Sequence, residues 1–273
     1  MGFISTRDGT KIFYRDWGSG QPILFSHAWP LSSESWDAQM RFFASNGFRA
    51  IAYDRRGHGR SDQPWDGNDI DGYADDLADL VEALDLSDIA LVTHSMGGSE
   101  AARYVRRHGN GRLARIAMAG AAMPLMLKSS ANPDGVPIDV FDYLRSGVAE
   151  RRSAFLKEVA ISFYGFNRDG VEVDAGLVES FWLWGMQASP KSLYDCIRMF
   201  SEVDYSDDLG AIDVPVLFVH GDDDQMAPIA LSAHRAVKRV GKGRLSIYEG
   251  ASHGIPQTHA ERFNADILSF IRG

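Results

Sequence analysis

Ser95 stands in a stretch whose residue types suit nucleophilic chemistry, Leu91-Val92-Thr93-His94-Ser95-Met96-Gly97-Gly98. The apolar run Ile89-Ala90-Leu91-Val92 reads as a buried strand, and a helical pattern runs from Ser99 to about His108. A serine at a sharp strand-to-helix corner is a nucleophile elbow. The turn exposes the hydroxyl and aims the following backbone N–H groups at one point, where they hold a developing oxyanion. The common pattern is Gly-x-Ser-x-Gly, and Thr93 here replaces the first glycine. An ordinary strand–helix turn can also carry a serine, so the octapeptide needs partners elsewhere in the chain.

A serine hydroxyl is a poor nucleophile at neutral pH. It needs a base to take its proton, and the base needs an acid to orient it. Open α/β sheets place such groups just after the carboxyl ends of strands. Of the eight histidines, His94 adjoins Ser95 but is expected to point elsewhere and to be structural. His108 and His234 sit in helical, exposed patterns, and His58 in a Gly-rich loop. His220 ends a strand, and His259 starts the last helix. His27 opens the loop after an early strand and suits an organiser of that loop. His253 follows the last strand in a Gly-flanked loop and is the best base. For the acid, Asp222, Asp223 and Asp224 follow one strand. Three adjacent carboxylates repel one another, and spacing alone does not choose among them. The order Ser95, then Asp222 to Asp224, then His253 is the order of an α/β-hydrolase.

The elements that would position these groups alternate. Phe3-Ile4-Ser5-Thr6 and Lys11-Ile12-Phe13-Tyr14 flank Asp8-Gly9, a hairpin signal. Strands are expected at 22–26, 48–53, 89–92, 113–120, 214–220 and 244–248. Helices are expected at 35–44, 71–85, 99–108 and 260–271. That rhythm predicts an α/β fold with a mainly parallel sheet covered on both faces. Between Met123 and Asp204 the strand runs vanish and aromatic-rich helical patterns take over, which predicts a helical cap at 123–204 between core segments 1–122 and 205–273. At 273 residues the chain is long enough for one large domain with such an insertion. The net charge of −9 argues against a nucleic-acid partner. The single Cys196 excludes an intrachain disulfide and a cysteine-based zinc cage. No segment has the roughly 18 apolar residues of a membrane span, and no signal-peptide core opens the chain, so a cytoplasmic protein without a membrane partner is expected.

From Gly9 to the last helix the chain resembles the cofactor-free haloperoxidase and aryl esterase group of α/β-hydrolases. The stretches that carry the resemblance are Ser26-His27-Ala28-Trp29-Pro30, the run from Asp54 to Trp65, His94-Ser95-Met96-Gly97-Gly98, the run from Gly135 to Phe141, Phe163-Tyr164-Gly165, His220-Gly221-Asp222-Asp223-Asp224-Gln225 and Ser252-His253-Gly254. The resemblance implies an eight-stranded α/β-hydrolase sheet with Ser95 as nucleophile, Asp224 as acid and His253 as base. It puts the oxyanion donors at the N–H groups of Trp29 and Met96. It implies a pocket wall that includes Trp29, Ala122, Met126, Leu144, Val159, Phe163, Phe200, Met226 and Ala227. It further implies hydrolysis of short acyl or aryl esters, with hydrogen peroxide as an alternative acceptor that yields a peracid. No haem, vanadium or other metal is required, and a trimer or dimer of trimers is the expected assembly. Two departures stand out: Ala28 follows His27 where the group usually has glycine, and Thr93 adds bulk where the elbow helix packs close to its strand. Pro30 follows the oxyanion residue, as in members of the group that make peracids well.

A haloalkane dehalogenase or epoxide hydrolase on this fold would use an aspartate nucleophile, which Ser95 excludes. A lactonase, a γ-lactamase and a carbon–carbon bond hydrolase would use the same triad. A non-catalytic ligand sensor has no need of an intact one.

Overall fold

In the computed structural model, which describes residues 1–273, the Asp8-Gly9 turn joins β1 (Gly2–Ser5) to β2 (Lys11–Gly18) as an antiparallel pair. The buried run β3 (Pro22–Ser26) follows, then α1 (Asp37–Ser45) behind a 3₁₀ turn over Ser33–Trp36. β4 (Arg49–Tyr53) pairs antiparallel with β2 and parallel with β3. α2 (Ile70–Ala83) starts where Asp69 caps it, its carboxylate accepting from the Gly72 N–H at 2.9 Å.

β5 (Ile89–His94) is buried at all six positions and leads directly into α3 (Met96–His108). The helix starts three residues before the predicted Ser99. Gly97 and Gly98 mark close packing there, not a loop. A Cβ on Gly97 would lie 2.6 Å from Ser26 Oγ, and one on Gly98 would lie 2.9 Å from Ala121 Cβ. Those contacts outweigh the helix-weakening tendency of glycine.

β6 (Leu113–Ala119) is followed by three long helices, α4 (Ile138–Phe163), α5 (Ala175–Gln187) and α6 (Pro190–Ser201), and by the short α7 (Ser206–Gly210). α4 bends at Arg151, whose φ of −146° and ψ of 34° leave the helical region. The sheet resumes with β7 (Val216–Gly221), passes through α8 (Ala233–Ala236) and ends with β8 (Gly243–Tyr248). α9 (Ile255–Thr258) and α10 (Ala260–Arg272) close the chain.

The eight strands form one sheet in the order β1-β2-β4-β3-β5-β6-β7-β8, with every pair from β4 to β8 parallel. Successive residues of a strand feed opposite faces. Leu24, Leu91, Ile116 and Phe218 join the larger apolar core, which α2 and α3 cover and which continues into α4 to α6, whereas Phe25, Val92, Ala117 and Val219 join the other, under α1 and α10. Both faces are therefore dry, which is why these strands read as apolar runs without alternation. No helix is long and apolar enough to cross a membrane. Because the central strands are parallel, the segments after β3, β5, β6, β7 and β8 all leave the sheet along one edge. Those segments begin at His27, Ser95, Gly120, Asp222 and Glu249.

Candidate active site

Ser95 occupies the corner between β5 and α3 with φ of 54° and ψ of −118°. A positive φ is uncommon for serine and is held only where the surroundings over-determine it. Here the Ser95 N–H is fixed by a 2.8 Å hydrogen bond to the Ala119 carbonyl. Thr93 is fully buried, and its hydroxyl donates to Ala117 O on the neighbouring strand at 3.3 Å. A Cβ built on Gly98 would be in ordinary van der Waals contact with Thr93 Oγ1, at 3.6 Å, so the threonine side chain does not crowd the start of α3. The corner thus keeps its strained geometry with threonine in place of glycine. The Met96 N–H at the start of α3 and the Trp29 N–H after β3 have no backbone acceptor in the chain, so both are available to a ligand.

The three adjacent aspartates separate on folding. Asp222 turns outward and accepts from the Gly250 N–H, and Asp223 pairs with Arg168 Nε at 2.6 Å. Asp224 turns inward, fully buried, and its Oδ2 accepts from His253 Nδ1 at 2.7 Å. Its Oδ1 accepts from the Met226 and Ala227 N–H groups at 2.9 and 2.8 Å. Burial alone would raise the Asp224 pKa. The His253 charge and the hydrogen bonds from His220 and His253 outweigh it and hold this carboxyl well below the usual carboxylate range. An ionised Asp224 requires the proton on His253 Nδ1, which leaves Nε2 as the lone-pair nitrogen of the neutral ring. The His253 ring and Ser95 line one cavity, with no hydrogen bond between them.

Three further residues hold this pair. His220 Nε2 donates to Ala227 O at 2.8 Å and lies 3.2 Å from Asp224 Oδ2, so it braces the same carboxylate oxygen that His253 contacts. Gly120, at φ of 55°, lies against the pair: a Cβ there would be 3.1 Å from the His253 ring and 3.5 Å from Asp224 Oδ2. His94 does not point away from the site, as its place on the turn suggested. Its Nε2 donates to His253 O at 3.0 Å, and the two rings stand 5.1 Å apart. The four-residue spacing from His220 to Asp224 was a visible signal. Nothing local marked His94 or Gly120, which act across the sheet.

The loop that carries Trp29 rests on a buried ion pair. Arg55 and Glu100 have no solvent exposure, and Arg55 Nη2 stands 2.7 Å from Glu100 Oε2. Glu100 also accepts from Ser26 Oγ at 2.7 Å and Tyr53 OH at 2.6 Å. Arg55 Nη2 donates to His27 O at 2.9 Å, and the Arg55 N–H donates to His27 Nε2 at 3.1 Å. Burial, with the Arg55 charge beside it, pushes His27 well below the ordinary histidine value, so the ring stays neutral and can accept that N–H. His27 is therefore the organiser its position implied. One ion pair joins α3, which presents the Met96 N–H, to the loop that presents the Trp29 N–H.

The cavity holds about 120 Å³ and is lined by Trp29, Ser95, Ala122, Leu144, Phe163, Phe200, Met226, Ala227 and His253. Val136, Val140, Phe141, Gln225 and Pro228 complete the wall. Two expected wall residues lie elsewhere. Met126 is buried behind the wall, its carbonyl accepting from the Val136 N–H at 2.8 Å, so Val136 takes the lining position. Val159 lies one helical turn before Phe163 and packs in the apolar core, leaving the ring of Phe163 to face the cavity. Gln225 is engaged by Asn167, each amide accepting from the other at 2.9 Å. No charged side chain other than the ionisable His253 lines the cavity.

Comparisons with known proteins agree with this architecture. Over 272 residues the chain is 52% identical to the non-heme haloperoxidase of Rhodococcus erythropolis, covering 99% of each chain. It is 48% identical over 275 residues to the bifunctional esterase/perhydrolase DCH of Acinetobacter calcoaceticus, covering 100% of each. The solved bromoperoxidase of Bacillus anthracis superposes with a TM-score of 0.93 at 36% identity, over 97% of this chain and 96% of that one. Residues 21–259 match the profile of the alpha/beta hydrolase fold family, and the chain belongs to that family.

Proposed function

We propose that the protein is a serine hydrolase that cleaves small acyl or aryl esters through an acyl-enzyme and also transfers the acyl group to hydrogen peroxide. One observation carries this reading: Ser95 and His253 open on the same small apolar cavity, while His253 is held by a buried, ionised Asp224. In this mechanism His253 Nε2 takes the Ser95 proton as Oγ attacks the ester carbonyl. The Trp29 and Met96 N–H groups hold the oxyanion, each worth about 3 kcal/mol. The imidazolium, stabilised by Asp224, returns its proton to the leaving alkoxide. Water, deprotonated by His253, then releases the acid. Hydrogen peroxide in its place forms the new O–O-bearing acyl bond, Ser95 Oγ leaves with the proton from His253, and the product is a peracid. That peracid can oxidise halide in free solution. Similarity to a haloperoxidase and to an esterase/perhydrolase supports both outcomes. Under this reading the segment 123–204 caps the site and supplies much of its apolar wall, so uncharged substrates are preferred.

The test is phenyl acetate hydrolysis beside peracid formation from acetate and peroxide, read by bromination of a dye. The parent is expected to do both, and Ser95→Ala to lose both by about 10⁴-fold or more. An inert parent across short acyl and aryl esters, or an active Ser95→Ala, would overturn the proposal.

A further inference from the structure

Peracid chemistry exposes the protein that performs it to a strong oxygen-atom donor, and the thioether is its most readily oxidised accessible group. The chain has nine methionines and one cysteine. Met40, Met96, Met118, Met123, Met126 and Met199 are buried. Cys196 has no exposure, and burial pushes its thiol up to about 12, so it is neither accessible nor a thiolate at neutral pH. Met1 and Met186 lie outside the cavity, at the chain terminus and on α5. Met226 alone among them is part of the wall of the cavity that Ser95 and His253 also line. Its backbone N–H is also tied to Asp224 Oδ1 at 2.9 Å, so the residue cannot withdraw without loosening the carboxylate.

We propose that Met226 is the site at which the enzyme's own peracid product oxidises it and limits its activity. This rests on the perhydrolase reading above. The Met226 sulfur lone pair attacks the distal peroxy oxygen, and the O–O bond breaks. Its electron pair leaves on the carboxylate, which takes the proton released from the transferred oxygen. Sulfur is oxidised by two electrons to the sulfoxide, and the peracid is reduced to the parent acid. A polar S=O group then stands in a cavity of about 120 Å³ whose wall is otherwise mostly apolar. Apolar esters bind less well there, and reduction of the sulfoxide restores the thioether.

Three proteins separate the cases: the parent, Ser95→Ala and Met226→Leu, each incubated with acetate and peroxide, with peroxide alone, and with acetate alone. Peracid is measured in parallel, and oxygen uptake is located by peptide mass mapping. The expected result is one added oxygen on Met226 in the parent, with acetate and peroxide together, faster than on any other methionine of the fold. Ester activity falls in step, KM for an apolar aryl ester rises by about tenfold, and methionine sulfoxide reductase reverses the loss. Met226→Leu, followed against its own initial rate, decays more slowly. Peracid formation with an unmodified Met226, or equal oxidation of Met226 in Ser95→Ala, would overturn this inference while leaving the perhydrolase reading intact. Absence of peracid in the parent would overturn both.

Discussion

His94 Nε2 donates to the carbonyl oxygen of His253 at 3.0 Å, and the two imidazoles stand 5.1 Å apart. The residue that precedes Ser95 therefore holds the backbone of the residue proposed to deprotonate it. β5 and the loop after β8 are not adjacent in the sheet, so this bond fixes a distance that no strand pairing sets. Burial, with the nearby His253 charge, pushes His94 down to about 3 and keeps its ring neutral. A neutral His94 adds no positive charge beside His253 when that ring becomes an imidazolium.

Buried neutral histidines make the fold sensitive to acid. His58 and His94 are each pushed down to about 3, chiefly by burial, whereas a histidine in an unfolded chain titrates near 6.5. Below that value the unfolded chain binds protons that the folded chain does not. Stability then rises with pH, is fully present above about 6.5, and is lost as pH falls toward 3. Each such ring contributes a slope of about 1.4 kcal/mol per pH unit well below 6.5. Urea unfolding at pH 7, 6 and 5 is expected to give midpoints that fall with pH at every step. A flat profile over that range would contradict the neutral-ring assignment. Asp224 acts lower, its contribution being present above the ordinary aspartate value and lost as pH falls below it.

Asp224→Asn removes the charge that stabilises the imidazolium and offers His253 Nδ1 the wrong partner. Ester hydrolysis is expected to fall by about 10⁴ in kcat with little change in KM. Steady-state kinetics beside a thermal melt would separate this from unfolding. A loss expressed mainly in KM would mean that Asp224 shapes binding and not chemistry.

Gly120→Ala places a methyl group 3.1 Å from the His253 ring at a backbone angle of 55°. The ring must shift, and small displacements of reacting groups cost up to about 100-fold in rate. The variant is expected to lose about tenfold to 100-fold in kcat. Gly109→Ala, at φ of 81° but with no atom within 4 Å of the new Cβ, shares the backbone strain without the ring contact and should retain kcat.

Glu100→Gln leaves the Arg55 charge buried and uncompensated, at an expected cost of about 3 to 5 kcal/mol in unfolding free energy. The double variant Arg55→Met with Glu100→Leu should recover much of that stability, because an apolar pair avoids charge desolvation. Its kcat should stay low, since His27 O loses the Arg55 donor that holds the loop. Chemical denaturation and kinetics on the same preparations would check both halves; full recovery of kcat in the double variant would show that the ion pair does not position the Trp29 loop.

The covalent order of the chain was enough to determine the strand runs of the sheet and the corner at Ser95, and to point to His253 as the proposed base. These rest on local physics: apolar runs that must bury both faces, glycines at close approaches, and polar residues at the ends of parallel strands. The sequence alone did not choose among Asp222, Asp223 and Asp224, because adjacent residues share composition and differ only in where the turn aims them. Folding sent one to Arg168, one to a backbone N–H and one to His253. The start of α3 at Met96 and the seating of the Thr93 hydroxyl were likewise decided by contacts with Ser26, Ala117 and Ala121, residues far away in sequence. His94, Gly120 and the Arg55–Glu100 pair took their places beside the site only through tertiary packing, since each acts on a residue brought to it from another strand or loop.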